Sequence, residues 1–234
     1  MAVLAHPDDE SFAVGGTLAK YAVEGANVDL IVATRGEAGI SGKRSWEAAE
    51  IRESELWRAC LNLGIRRLEF LGFTDGQLAE VPEETAVTRL VEKIRRSHPD
   101  VVITFGPEGI SGHPDHVAVS RWTTMAFDWL SQEPGGPRRL YYILPSEATQ
   151  QSCGVPPQAK MADSPLVSID IGPFRIIKVI ATRQHRSQNP PPYYERVEDA
   201  AQRLACHELF RLARPVKAGN GAEPEDDLFS DIGD

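Results

Sequence analysis

The sequence predicts an α/β protein: a Rossmann-like, doubly wound, mainly parallel sheet with helices on both faces. Three observations predict it. Short runs rich in Val, Ile and Leu recur along the chain, as in Val28–Thr34 and Val101–Phe105, and such runs are how strands covered on both faces read. Amphipathic stretches of helical length separate them, which makes βαβ units. A length of 234 residues with 41% hydrophobic content suffices for one generous core without disulfide or metal staples.

In chain order, strands are expected at Ala2–Ala5, Val28–Thr34, Leu68–Leu71, Val101–Phe105, Leu140–Leu144 and Leu166–Ile171. Helices are expected over Gly16–Glu24, Trp46–Leu63, Glu83–Ser97, Pro114–Ser131, Phe174–Arg186 and Tyr194–Leu212. Gly64 supplies a helix stop and Pro82 a helix start. Pro145–Pro165, polar and rich in Gln, Ser and Pro, reads as a long loop. Residues 1–213 read as a single domain, and 214–234 as an acidic tail expected to be disordered. The tetrapeptide GISG occurs at Gly39–Gly42 and Gly109–Gly112, in loops that follow strands, and reads as a chance match.

Lys plus Arg is 25 against 34 for Asp plus Glu, a formal net charge of −9. Lys217–Asp234 holds six acids and one lysine, or −5 of that total, leaving −4 for the remainder. This balance excludes a basic nucleic-acid face and has the wrong sign for an anionic membrane surface. No apolar run approaches the ~20 residues of a membrane span, and the start MAVLAHPDDE lacks the pattern of a signal peptide. Cys60, Cys153 and Cys206 lie far apart with no CxxC pair, which predicts reduced thiols and a cytoplasmic protein. The oligomeric state is not readable from the sequence.

Two motifs carry chemistry. AHPDDE, Ala5 to Glu10, falls where the first strand ends. Adjacent carboxylates beside a histidine at the end of a buried strand repel one another and demand hydration or a counter-charge, and a divalent cation resolves the conflict. HPDH, His113 to His116, lies between the fourth strand and its helix. His113 and His116, three apart, project from nearly the same face of a first helical turn, and Pro114 pre-sets that turn. In the strand order 3-2-1-4-5, strands 1 and 4 flank the crevice where ligands bind, so the two loops are predicted to face each other there. Three of six histidines fall within these ten residues. Imidazole and carboxylate donors without Cys suit Zn²⁺ first, with Fe²⁺, Co²⁺, Mn²⁺ and Ni²⁺ as alternatives. Three protein ligands with one open position lower the pKa of bound water and polarise a carbonyl. A carboxylate left off the metal is available as general base. Residue chemistry alone therefore points to metal-assisted hydrolysis of an acyl or similar bond.

AHPDDE followed by GHPDH at Gly112–His116 resembles the PIG-L/LmbE-like family of zinc-dependent N-deacetylases, which act on N-acetylglucosaminyl glycoconjugates. ATRGEAG (Ala33–Gly39) is similar to that family's T-x-G-E-x-G segment, and LGFTDG (Leu71–Gly76) to its L-G-x-x-D-G turn. Arg52, Glu55, Ala59 and Leu63-Gly64 fit its R-x-x-E-x-x-x-A-x-x-x-L-G helix; Lys178, Ala181, His185, Ser187 and Gln188 fit K-x-x-A-x-x-x-H-x-S-Q. The resemblance spans about Val3 to Gln188. It implies His6, Asp9 and His116 as zinc ligands and Asp8 as general base. It implies His113 as the group that stabilises the oxyanion or protonates the leaving amine. Asp115 would fix an imidazole's tautomer.

Further candidates for substrate contact are Arg52, Asp75, Glu37, Ser111 and His185. Arg52 either enters the crevice or pairs with Glu55 on the helix surface, and Asp75 either meets a sugar hydroxyl or only shapes the Asp75-Gly76 turn. Lys178 reads as structural or at the rim, and His98 and His207 as surface or packing residues. Two departures stand out. Only five residues precede His6, which leaves a start upstream of Met1 or a weakened first strand. Ser111 stands where some sugar-processing members carry tyrosine, which puts the substrate in question more than the reaction. The expected function is removal of an acetyl or other acyl group from the amine of a small glycoconjugate. The rivals are an amidase for a larger thiol conjugate or acylated natural product, and a non-catalytic sugar-binding homologue. A dinucleotide oxidoreductase is excluded, because AHPDDESFAVGG occupies the place of the G-x-G-x-x-G fingerprint.

Overall fold

The computed structural model describes residues 1–145, 166–188, 196–215, 225–230 and 232. The expected loop Pro145–Pro165 lies, apart from Pro145, outside them, as does Cys153. The chain divides into two units: Ala2–Leu78 with Asp170–Glu208, and Met1, Ala79–Ile169 and Leu209–Asp234.

In the first unit, β1 (Ala2–Leu4), β2 (Asp29–Val32) and β3 (Arg67–Phe70) are parallel in the order β3-β2-β1. Ala2 stands opposite Leu30 and Asp29 opposite Arg67. β1 and β2 are buried throughout, as their unbroken burial pattern requires of strands with both faces covered. Helices α1 (Asp9–Val23) and α2 (Ser45–Leu63) follow β1 and β2. Gly64 ends α2 with φ 73°, the left-handed conformation that glycine adopts without a steric cost. Later in the chain, α5 (Arg175–Thr182) packs on both α1 and α2, and α6 (Val197–Arg203) packs on α5. Val14, Leu18, Ile31, Leu56 and Leu63 fill this core.

In the second unit, α3 (Glu83–Ser97), β4 (Val101–Phe105), α4 (Pro114–Leu130), β5 (Arg139–Leu144), β6 (Leu166–Asp170) and β7 (His207–Arg214) follow in chain order. The ends of β6 and β7 cross into the first unit. The strand order is β4-β5-β7-β6, with β4 and β5 parallel and β7 antiparallel to β5. Met1 belongs here: its amino group donates to the Val101 carbonyl at 2.8 Å, and Ile103 N–H donates to its carbonyl at 2.9 Å. Trp122, Tyr141, Phe105, Phe210, Leu90 and Ile94 form the core.

The α/β class and the mainly parallel strands are as predicted. Three expectations are corrected. α1 starts at Asp9, seven residues before the predicted Gly16, because Asp9 and Glu10 occupy its first turn, where carboxylates complement the helix dipole. The predicted helix Tyr194–Leu212 is instead α6 followed by β7. Phe210 and Leu212 are buried with Arg211 between them half-buried, the period of a strand. The tail is packed over its described part: Glu225 bridges Val167 in parallel, and Leu228 is buried. Among the described residues, no helix is long and apolar enough to cross a membrane.

Candidate active site

The AHPDDE loop leaves β1 in the first unit. The carboxylates of Asp8 and Asp9, adjacent in sequence, have different partners. Asp9 Oδ2 turns back to accept the N–H groups of Ala5 (3.2 Å) and His6 (2.8 Å), and it lies 3.7 Å from His6 Nδ1. His6 Nε2 is 3.1 Å from Asp75 Oδ1. A carboxylate oxygen there makes Nε2 the protonated nitrogen and leaves the lone pair on Nδ1, beside Asp9. Two donors each about 2.0–2.2 Å from one tetrahedral ion stand roughly 3.4 Å apart. The His6–Asp9 pair is close to that spacing, so these residues fit a zinc-type ion.

Asp8 faces elsewhere. Its Oδ2 is 3.2 Å from Arg52 Nη2, which also donates to the Pro7 carbonyl at 2.6 Å. Arg52 Nη1 donates to the Gly36 carbonyl at 3.2 Å and lies 3.7 Å from Asp75 Oδ2. Arg52 is 4% exposed, so it is not the surface partner of Glu55 that the helix spacing offered. Asp8 has φ 129° and ψ −28°, a conformation rare outside glycine that costs about 1–3 kcal/mol and persists only where its surroundings hold it. Burial, then the charges of Asp9 and Glu10, push the Asp8 carboxyl up to about 7, against the opposing charges of Arg52 and His185.

Asp75 does more than shape its turn. Its Oδ2 accepts the Ala38 N–H at 3.0 Å, and its own N–H donates to Glu37 Oε1 at 3.0 Å. Burial opposes ionisation of Asp75, but the His6 hydrogen bond and charge, the Ala38 N–H and Arg52 together hold its pKa below the usual value. Glu37 Oε2 is buried without a hydrogen-bond partner among the described residues. His185 is fully buried with Nε2 2.7 Å from Glu10 Oε1, so the expected substrate contact is corrected to an internal one. Lys178 is internal too, 2.5 Å from Glu208 Oε1. Sequence reasoning missed Glu10, Glu208 and the pairing of Glu55 with Ser187, whose N–H and Oγ donate to it at 2.9 and 2.6 Å.

The second unit carries the other motif. β4 is buried throughout, and a short helical turn at Gly109–Gly112 leads to His113, the N-cap of α4. The Asp115 N–H donates to His113 Nδ1 at 3.2 Å, which places the proton of the neutral ring on Nε2. His116 Nδ1 is 3.2 Å from the Gly109 carbonyl. A carbonyl only accepts, so Nδ1 carries the proton and the lone pair belongs to Nε2. The His116 ring stacks on Phe105 at 4.0 Å and on His113 at 4.8 Å. Asp115 is fully buried, while His113 and Ser111 are exposed. The two adjacent imidazoles thus have opposite tautomers, one suited to donate a proton and one a lone pair.

Imidazole and carboxylate donors following parallel strands define a class: a hydrolase of the metal-dependent type on an α/β framework. The family model "PIG-L: GlcNAc-PI de-N-acetylase" matches residues 1–127. The chain is 31% identical, over 99% of its length and 100% of the relative's, to the 1D-myo-inositol 2-acetamido-2-deoxy-alpha-D-glucopyranoside deacetylase of Nocardiopsis dassonvillei. Among solved structures, N,N'-diacetylchitobiose deacetylase from Pyrococcus horikoshii aligns with a TM-score of 0.68 at 22% identity, covering 90% of this chain and 83% of that one. The 4-carboxy-2-hydroxymuconate hydratase of Pseudomonas putida aligns with a TM-score of 0.69 at 18% identity, over 94% and 98%. At these identities the two structures establish the fold alone. The chain belongs to the PIG-L family of N-acetylglucosamine deacetylases.

Proposed function

We propose that the protein hydrolyses the N-acetyl group of an N-acetylglucosaminyl-type small glycoconjugate, with zinc held by His6, Asp9 and His116 and with Asp8 as general base. The observation that carries the reading is the division of labour between adjacent carboxylates: Asp9 stands beside His6 Nδ1, while Asp8 is held apart by Arg52. Two imidazoles and a carboxylate are a donor set suited to a divalent ion. When bound, zinc supplies a Lewis acid for the amide carbonyl and makes a water reactive near neutral pH. Asp8 accepts a proton from the attacking water. His113 Nε2–H donates a hydrogen bond to the oxygen that gains charge, and Asp8 returns the proton it took from water to the departing amine. Arg52 keeps the Asp8 carboxylate in place. The substrate class follows that of the Nocardiopsis relative by name. No nucleic-acid or membrane partner is needed. The free thiols Cys60 and Cys206 suit a cytoplasmic enzyme.

The test combines metal analysis with an assay of amine release from 1D-myo-inositol 2-acetamido-2-deoxy-α-D-glucopyranoside, N-acetylglucosamine and a larger acylated conjugate. About one zinc per chain is expected, with the first compound preferred. Asp8→Asn should retain zinc and lose about 10²–10⁴-fold in kcat. A metal-free active enzyme, or full activity in Asp8→Asn, overturns the mechanism. Preference for the larger conjugate overturns the substrate assignment.

A further inference from the structure

The strained backbone of Asp8 needs something to hold it, and the structure contains a buried device with no other evident task. The Asp8 N–H donates to Glu10 Oε2 at 3.0 Å. The opposite oxygen, Glu10 Oε1, takes Ser11 Oγ–H at 2.5 Å and His185 Nε2 at 2.7 Å. Glu10, Ser11 and His185 are all fully buried. His185 Nδ1 has no hydrogen-bond partner among the described residues, so the polar work of this imidazole is its bond to Glu10. A carboxylate with no solvent access is costly unless fully bonded, and an imidazole against it makes the arrangement tolerable. His185 lies just after α5, 175 residues from Glu10 in sequence, and its place is fixed by local bonds: its N–H donates to the Thr182 carbonyl at 3.2 Å and its carbonyl accepts Gln188 N–H at 3.1 Å.

We infer that His185 and Glu10 form a positioning pair that pins the Asp8 peptide in its positive-φ conformation and so aims the Asp8 carboxylate. Arg52 holds the same residue by its side chain and by the Pro7 carbonyl, so the base is gripped from two sides. The inference rests on the reading of Asp8 as general base.

The experiment compares His185→Gln, whose amide keeps a donor for Glu10, with His185→Leu, which has none, using amine release from 1D-myo-inositol 2-acetamido-2-deoxy-α-D-glucopyranoside. His185→Leu should lose about 10- to 100-fold in kcat, the scale for groups that orient a reacting residue, with KM and bound zinc within about two-fold of wild type. His185→Gln should recover most of that loss. Should His185→Leu fail to fold, Glu10→Ala, which removes the acceptor for the Asp8 N–H, serves in its place and should show the same kcat-specific loss. Unchanged kcat, a loss matched by lost zinc, or equal loss in His185→Gln and His185→Leu overturns the inference. Failure of both the His185→Leu and the Glu10→Ala variants to fold marks the pair as merely structural and also overturns it. Asp8→Asn, assayed alongside, separates the two ideas. An active Asp8→Asn sinks the base assignment itself. An inactive one beside a fully active His185→Leu sinks only the positioning pair.

Discussion

Gly36 shows how narrowly the site is built at the scale of single residues. It has φ 73°, and a methyl placed on it would stand 2.5 Å from Arg52 Nη1. Arg52 is buried and committed to Asp8, Asp75 and two carbonyls, so it cannot step aside without releasing Asp8. Gly36→Ala should therefore cost about 1–2 kcal/mol of stability through its backbone alone and should also depress kcat, both measurable by denaturant titration and amine release. His185 gives a second prediction at this scale. Burial disfavours its charged form, but the hydrogen bond and charge of Glu10, with Asp8 and Glu55 beyond, outweigh that and raise its pKa. A raised folded pKa favours the folded chain below the unfolded imidazole value of about 6.5 and loses that effect as pH rises through the folded value. The gap in Tm between wild type and His185→Leu should be wider at pH 5.5 than at pH 8.5; a gap that widens with pH contradicts the assignment. The candidate donors His6, Asp9 and His116 stood out in sequence, because histidines beside paired acids are poor packing choices, whereas the hold of Arg52 on Asp8 was not foreseen. Glu10 was not, because an acid within AHPDDE looks like one more response to a cation, and nothing in sequence points to a histidine 175 positions on.

Among the elements, β4 and α3 match the sequence reading residue for residue, since apolar continuity in one and a strong amphipathic stripe in the other leave no competing period. The errors lie where local signals conflict with long-range partners. β7, whose residues were read as the end of a helix, begins with His207-Glu208. The structure gives Glu208 its reasons: Oε1 and Oε2 accept the Gly16 and Thr17 N–H groups at 3.1 and 2.8 Å, and Lys178 pairs with Oε1. This one side chain ties α1, α5 and the start of β7 within the first unit. Glu208→Ala would leave a buried ammonium and two helix N–H groups without it, and should destabilise the protein by about 3–5 kcal/mol. Glu208→Gln, which keeps the acceptor oxygen, should cost less. Chemical denaturation of the two variants tests the ranking, and an unchanged Glu208→Ala midpoint would remove the element tie.

For the whole molecule, the acidic tail is where composition and structure diverge most. Its charge, −5 of −9, reads as solvated chain, and composition alone gives no reason for any of it to pack. The described residues show otherwise. Glu225 accepts the Ser168 N–H at 2.8 Å and donates its own N–H to the Leu166 carbonyl at 2.9 Å, adding backbone pairing to β6. Its carboxylate lies 3.4 Å from Arg139 Nη1, and Arg139 is 4% exposed, so a buried guanidinium has its counter-charge in the tail. Tyr141 Oη donates to the Leu228 carbonyl at 3.0 Å, and Leu228 is 1% exposed. An acidic segment thus contributes one apolar anchor and one buried ion-pair partner to the second unit. Deleting residues 216–234 should raise the isoelectric point and also cost about 2–4 kcal/mol, from the lost Leu228 burial and the lost Glu225 partner of Arg139. Leu228→Asp in the full chain should reproduce most of that loss while making the tail more acidic. If charge alone mattered, the deletion would relieve repulsion and leave Tm equal or higher, so a fall in Tm for both variants separates packing from net charge.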